Sequence, residues 1–141
     1  MPLLSVAIIT CDEERNLART LASVSFADEV IVVDSGSKDR TVEIAEAFGA
    51  KIFVREWPGF AAQKNFAISQ CKGDWVLSLD ADEEMSPELA TQIRLFLLRL
   101  GNTRLGAVAV DPSLEKDFAC EDFIVAIRQT AAADKMLQRA A

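Results

Sequence analysis

Two aspartates, Asp80 and Asp82, stand where an apolar run, Trp75 to Leu79, breaks into carboxylates: Asp80-Ala81-Asp82-Glu83-Glu84. In extended backbone, side chains two apart point to the same side. Two carboxylates on one side, just past a strand's carboxyl end, make an oxygen donor set for a hard cation, Mg2+ or Mn2+. Such an ion commonly completes its shell with substrate phosphates. The competing reading is a solvated acidic approach to the next helix. Ser86-Pro87-Glu88 opens that helix, with serine as N-cap and proline at the first helical position. A bare D-x-D occurs often by chance, so its meaning rests on what the rest of the chain brings to it.

Other apolar runs end in polar groups as well. Ser5 to Thr10 is short and rich in β-branched residues and reads as a buried strand with Thr10 at its end. Glu29 to Asp34 is a second, ending in Asp34, and Lys51 to Arg55 is a third. Between them the spacing of Leu17, Leu21 and Val24 predicts a helix from about Glu13 to Ser25, with Asp12 as N-cap. A second helix is expected from a Ser37 cap to Phe48, stopped by Gly49. Trp57-Pro58-Gly59-Phe60 reads as a loop, Ala61 to Gln70 as a third helix, Asp74 to Leu79 as the fourth strand, and Pro87 to about Leu100 as the fourth helix.

Strand-helix alternation at these lengths predicts an α/β protein with right-handed crossovers and a mainly parallel sheet. Ligands of such sheets bind beyond the carboxyl ends of the strands, where Thr10, Asp34 and Asp80 fall. The three are expected to converge on one crevice. Each has a plain structural alternative: Thr10 can satisfy turn backbone, and Asp34 can form an Asx-turn over Ser35-Gly36. Lys64, in Gln63-Lys64-Asn65, is the candidate cation for a diphosphate; a helix lysine is otherwise simply solvated.

Composition removes several chemistries. The chain has 141 residues, which makes one domain the default. The formal charge of −7 argues against broad binding to nucleic acid or to anionic lipid. With no histidine, there is no Ser-His-Asp triad and no His-ligated zinc within the sequence. Cys11, Cys71 and Cys120 are far apart, without a C-x-x-C, and suggest a reducing, cytoplasmic compartment. No signal peptide is expected, since Met1-Pro2-Leu3-Leu4 carries no basic segment. No apolar run approaches the length of a membrane span, which leaves peripheral contact with the inner membrane face open. There is neither a G-x-G-x-x-G nor a G-x-x-x-x-G-K-[ST], so dinucleotide and P-loop readings lose their main support.

Four ordered stretches then carry a resemblance. Val6-Ala7-Ile8-Ile9-Thr10-Cys11-Asp12-Glu13-Glu14, Val32-Val33-Asp34-Ser35-Gly36-Ser37-Lys38-Asp39-Arg40-Thr41, Gln63-Lys64-Asn65 and Leu79-Asp80-Ala81-Asp82-Glu83 resemble the successive motifs of family 2 glycosyltransferases. The stretch from Trp57 to Asn65 is similar to the branch that adds glucose to the lipopolysaccharide inner core. The resemblance covers about Leu4 to Leu100. It implies a GT-A-type, Rossmann-like sheet with flanking helices, incomplete in its C-terminal half, and inverting transfer from a nucleotide-sugar. By the same resemblance, Thr10 and Glu13 would line the nucleoside pocket, and Asp34 would bind the base, uracil. Lys64 would reach the base or diphosphate, Asp80 the ribose or the metal, and Asp82 would ligate Mg2+ or Mn2+. Many relatives carry an aromatic residue in place of Cys11 and asparagine in place of Asp12.

Residues 1–100 are thus expected to form a nucleotide-sugar-binding half-domain, and 101–141 a divergent tail of unknown role. In the tail, Gly106 to Val110 could be a strand and Asp117 to Ala141 is helix-like. Glu121-Asp122 superficially matches the family's acidic base motif, against a plain exposed pair on a helix face. Three readings follow. One is a metal-dependent transferase acting from UDP-glucose on a glycan or lipopolysaccharide-core acceptor, with its catalytic base unassigned. Another is a nucleotide-sugar-binding module, catalytically incomplete or completed by a partner. The third, nucleotidyl transfer, is weakened because Cys11-Asp12-Glu13-Glu14 is acidic where a basic glycine-rich loop belongs.

Overall fold

A computed structural model describes residues 3–100 and 124–127. The apolar, β-branched runs form strands. β1 (Leu4–Thr10), β2 (Glu29–Asp34), β3 (Lys51–Val54) and β4 (Trp75–Asp80) lie parallel, and β5 (Ile124–Ile127) runs antiparallel to β4. The sheet order is β3-β2-β1-β4-β5. Ile8, Ile31, Val32, Val33, Val76 and Leu77 have no exposed surface worth counting, as expected of parallel strands covered on both faces.

The helices are α1 (Leu17–Ser23), α2 (Thr41–Ala47), α3 (Phe60–Gln70) and α4 (Pro87–Leu100). Alternation along the strands sorts their packing. Val6, Ile8, Val32, Leu77 and Leu79 pack with Leu17 and Leu21 of α1, Ala45 of α2, and Leu89 and Ile93 of α4. Ala7, Ile31, Val33 and Val76 face Ala67 and Cys71, toward α3. The chain lays down β1, β2 and β3 outward in one direction, then crosses back to place β4 on the other side of β1. A crossover of constant hand that reverses direction must change faces, which is why α3 lies opposite α1 and α2. The reversal opens a crevice at the carboxyl ends of β1 and β4, the place where such folds bind ligands.

Several local signals act as read. Gly49, at φ 77°, ends α2: its amide bonds Glu46 O, and the Ala50 amide bonds Ala45 O, a Schellman arrangement. The Ser86 hydroxyl accepts the Leu89 amide at 3.1 Å and caps α4. Two helices start later than expected, at Leu17 and Thr41 rather than about Glu13 and Ser37. In the tail, Ile124–Ile127 is a strand, not part of a helix. Its four apolar residues suit a buried strand as well as a buried helix, and pairing with β4 decides between them. The expected strand at 106–110 and the pair Glu121-Asp122 lie outside the described residues.

At the amino edge of the sheet the half-buried Glu29 carboxylate accepts the Ser5 hydroxyl, the Lys72 amide and the Lys51 ammonium at 2.8, 2.7 and 2.7 Å. Gly73 closes this corner. A Cβ there would stand 2.6 Å from Ser5 Oγ, 2.8 Å from Ser5 N and 2.9 Å from Leu3 O. Two of those atoms are main chain at the start of β1, so they cannot turn aside. Gly73→Ala is expected to lower unfolding free energy by about 1–3 kcal/mol, read from urea denaturation.

Candidate functional site

Thr10 and Asp34 are register partners at the ends of β1 and β2. Asp34 is only 1% exposed, yet it is a carboxylate. It is tolerated because four donors meet it. Thr10 Oγ1 at 2.7 Å and Ser37 Oγ at 2.5 Å donate to Oδ1, and the Gly36 and Ser37 amides at 2.9 and 2.7 Å donate to Oδ2. These match the roughly four acceptor positions of a carboxylate. Burial pushes the Asp34 carboxyl up. The Ser37 hydroxyl and amide, the Thr10 hydroxyl and the Gly36 amide together outweigh it and hold the group below its ordinary range. The Asx-turn over Ser35-Gly36 is therefore present, with Gly36 at φ 95°. Any further donor would reach Asp34 only by displacing one of those already bound.

The loops after β1 and β2 are knitted together, which explains the late helix starts. Asp12 is not an N-cap. It takes φ 52°, a region aspartate tolerates better than most residues, and its Oδ1 accepts the Lys38 amide at 2.8 Å. Ser37 is not a helix cap either, since its hydroxyl accepts the Asp12 amide at 2.8 Å while donating to Asp34. The Glu13 amide donates to Thr41 Oγ1 at 2.8 Å, and that hydroxyl in turn donates to Asp39. The Glu14 amide meets Asp39 Oδ2 at 3.2 Å, and Glu14 Oε2 accepts the Arg40 amide at 3.1 Å. Glu13 is thus half-buried in the wall beside Thr10, where its carbonyl also accepts the Asn16 and Leu17 amides.

Asp80 ends β4 with its side chain on the α3 face, where Lys64 Nζ lies 3.2 Å from Oδ1. Lys64 is paired, then, and both partners keep solvent access, at 34% and 52% of their side-chain surface. Asp80 and Asp82 do not share an extended backbone as expected. The chain turns at Ala81-Asp82, with the Glu83 amide on Asp80 O at 3.0 Å and the Asp80 amide on Glu83 Oε1 at 2.9 Å. The turn is pinned by Ala81, which is buried and whose carbonyl accepts Thr20 Oγ1 at 2.8 Å. Asp82 is left exposed on it. Among the described residues no group of three or more His, Cys, Asp or Glu gathers as a metal cage. Asp80 and Asp82 are both solvent-accessible carboxylates, the donor type that Mg2+ and Mn2+ prefer.

The switch point therefore carries polar groups on both faces of the sheet edge: the buried Thr10 and Asp34 with half-buried Glu13 on one, Lys64 and Asp80 on the other, with Asp82 on the turn that follows. Three further groups lie near it; Arg55 carried no motif in the sequence, and Trp57, Phe60 and Gln63 stood within the stretches of resemblance without a role of their own. The Arg55 amide bonds Asp34 O at 2.9 Å, and its guanidinium lies 4.1 Å from the Phe66 ring centroid. Trp57 and Phe60 expose their rings before and at the start of α3. Gln63 is wholly buried in the first turns of α3, and neither its Nε2 nor its Oε1 has a partner among the described residues. An unpaired buried amide is costly, so Gln63→Met is expected to raise stability by about 1 kcal/mol or more in urea denaturation. A loss instead would show that the amide has a bound partner in solution.

A mainly parallel sheet whose strand order reverses at β1 and β4, with acids and a lysine at that end, defines the class of doubly wound α/β proteins. The comparisons narrow it. The profile of glycosyl transferase family 2 matches residues 5–108. The chain belongs to that family. It is 52% identical over 94 residues to an uncharacterised glycosyltransferase of Rickettsia typhi, covering 66% of this chain and 32% of that protein. It is 34% identical over 91 residues to the lipopolysaccharide core biosynthesis glycosyltransferase LpsC of Rhizobium meliloti, covering 61% of this chain and 34% of LpsC. The chain thus spans about a third of the length of these relatives. Among solved structures, S. aureus TarS in complex with UDP-GlcNAc superposes with a TM-score of 0.58 at 26% identity, covering 70% of this chain and 32% of that one. Glucosyl-3-phosphoglycerate synthase of M. tuberculosis shares the fold at a TM-score of 0.63 and 23% identity, covering 90% of this chain and 57% of that one. The fold is accordingly the GT-A-type, Rossmann-like one that the motifs implied, described here for its N-terminal portion.

Proposed function

We propose that residues 1–100 are the donor-binding part of an inverting glycosyltransferase that transfers a sugar, glucose from UDP-glucose, to a glycan or lipopolysaccharide-core acceptor. The observation that carries this reading is the pairing of two walls across the β1–β4 switch point, one braced by Thr10 and Asp34, the other by Lys64 and Asp80. Family membership, the likeness to LpsC and the likeness to a TarS complex holding UDP-GlcNAc support it.

The residues then have distinct tasks. Thr10 and Glu13 shape the nucleoside side. Asp34 receives the uracil edge, with the Thr10 or Ser37 hydroxyl turning aside. Lys64 moves from Asp80 toward the diphosphate, which frees the Asp80 carboxylate. Asp80 and Asp82 would hold Mg2+ or Mn2+; when bound, such an ion supplies charge neutralisation to the departing diphosphate. An acceptor at the inner membrane surface would bring the protein into peripheral contact there. In the alternative reading, the chain binds donor without turning it over.

Calorimetric titration with UDP and UDP-glucose, with and without Mn2+, tests the proposal. Metal-dependent binding with transfer or donor hydrolysis supports the enzyme, binding without turnover supports the binding module, and no binding rejects both.

A further inference from the structure

We propose that Trp57 and Phe60 form a stacking platform for a pyranose ring of the saccharide substrate, an inference that rests on the donor-site reading above. The two rings meet edge to face, with centroids 4.8 Å apart and planes at 90°, so they form a corner with ring face left open. Phe60 is 70% exposed and Trp57 45%, with Val54 beside them in sequence at 65%. The display is built rather than frayed. Pro58 fixes its own φ, and Gly59 sits at φ 107°, which other residues rarely adopt. Neighbouring apolar side chains held in water in this way mark a binding surface.

Size and charge select the occupant. Even fully covered aromatic side chains bury only about 150–250 Å² each. Two such side chains together with Val54 fall short of the roughly 800 Å² per partner of a stable protein interface. A lipid surface is a poor match as well, because docking loops pair their aromatics with free basic residues. Here Glu56 adjoins Trp57, and the Arg55 guanidinium is already stacked on Phe66 at 4.1 Å. A sugar ring suits the corner. Its C–H face is weakly positive and stacks on the negative face of an aromatic ring. Its hydroxyls require polar groups at the rim, and these are present. Phe60 and Lys64 are four apart on α3 and so neighbours on its surface, and Lys64 reaches Asp80 at 3.2 Å. The platform is therefore continuous with the crevice assigned to the donor.

Cellobiose, a neutral saccharide with no nucleotide or phosphate, is the probe. Of the chain's two tryptophans, Trp75 is 4% exposed, so the Trp57 indole signal in NMR reports the platform alone. Cellobiose is expected to shift the Trp57 indole and to receive saturation transfer on its ring protons. Trp57→Ala or Phe60→Ala should weaken that transfer roughly tenfold, whereas Trp57→Phe should retain most of it. Absence of both signals in the parent chain, or transfer undiminished in the two alanine variants, overturns the proposal. A Trp57 shift produced by anionic phosphatidylglycerol vesicles but not by cellobiose overturns it in favour of lipid, and a shift that depends only on protein concentration does so in favour of self-association. UDP titrated against the same parent sample separates the two readings. UDP binding without a cellobiose effect rejects the platform alone, and a cellobiose effect without UDP binding rejects the donor reading alone.

Discussion

Asp34→Asn is expected to cost about 2–4 kcal/mol of stability and to loosen both loops at the mouth of the crevice. The carboxylate accepts four donors at 2.5–2.9 Å in a site 1% exposed. An asparagine keeps one acceptor oxygen and turns an amino group toward two of those donors. Bonds to a charged acceptor contribute about 1.5–3 kcal/mol each, and leaving buried donors unpaired adds to the loss. Against the roughly 5–15 kcal/mol that holds a small domain together, this is a large fraction.

The pH dependence supplies an independent check. The folded Asp34 carboxyl lies below its ordinary value of 3.8, so the native state favours the ionised form. Its contribution is fully present above the unfolded value and is lost as pH falls through the lower, folded one. The gap between parent and Asp34→Asn should therefore be constant near neutral pH and close on acidification below about 3.8. Urea midpoints collected against pH measure it. A gap that persists unchanged in acid would mean that packing, not the charge, holds the loops.

What the sequence made legible divides by the range of the interaction. Strands β1 to β4 declared themselves, because burial on both faces demands apolar β-branched runs. The Gly49 stop and the Ser86 cap were legible because each acts on backbone within a few residues of itself. Asp12 and Ser37 misled because their local capping chemistry is used across the fold. Asp12 serves Lys38, and Ser37 serves Asp12 and Asp34. A carboxylate before an apolar run looks the same in sequence whether its donors are local or lie on the neighbouring loop.

The candidate site shows the same division. Types and strand-end positions pointed to Thr10, Asp34, Lys64, Asp80 and Asp82. The fold adds that the first two lie on one sheet face and that Lys64 joins Asp80 on the other. That sorting depends on β4 being laid down on the far side of β1, which no local pattern records. Gln63 and the Trp57–Phe60 corner stood in the stretches of resemblance, but what each side chain does was not legible there. An amide in a helix and aromatics in a loop are ordinary until burial and exposure are known.

Asp82→Asn is expected to abolish the metal-dependent part of UDP binding while leaving the fold intact. Asp82 is exposed on the turn after β4, and the turn is held by Ala81 and Glu83 rather than by its own side chain. The substitution keeps the shape and removes only the charge, so the unfolding free energy from urea denaturation should move by no more than about 0.5 kcal/mol. A hard cation shared with phosphate needs anionic oxygen. Losing even an outer-shell partner typically costs about 10–100-fold in metal affinity, so losing a ligand should cost at least the upper figure. The neighbour Glu84 supplies the contrast. If the acidic run is only a solvated approach to α4, Asp82→Asn and Glu84→Gln will have equally small effects on titration with UDP and Mn2+. If Asp82 is a ligand, Asp82→Asn loses the Mn2+ response and Glu84→Gln keeps it. Asp80→Asn should then behave differently from both, because it also releases Lys64 from its ion pair at 3.2 Å. UDP binding without metal should survive in that variant, carried by the freed lysine, while the Mn2+ increment disappears.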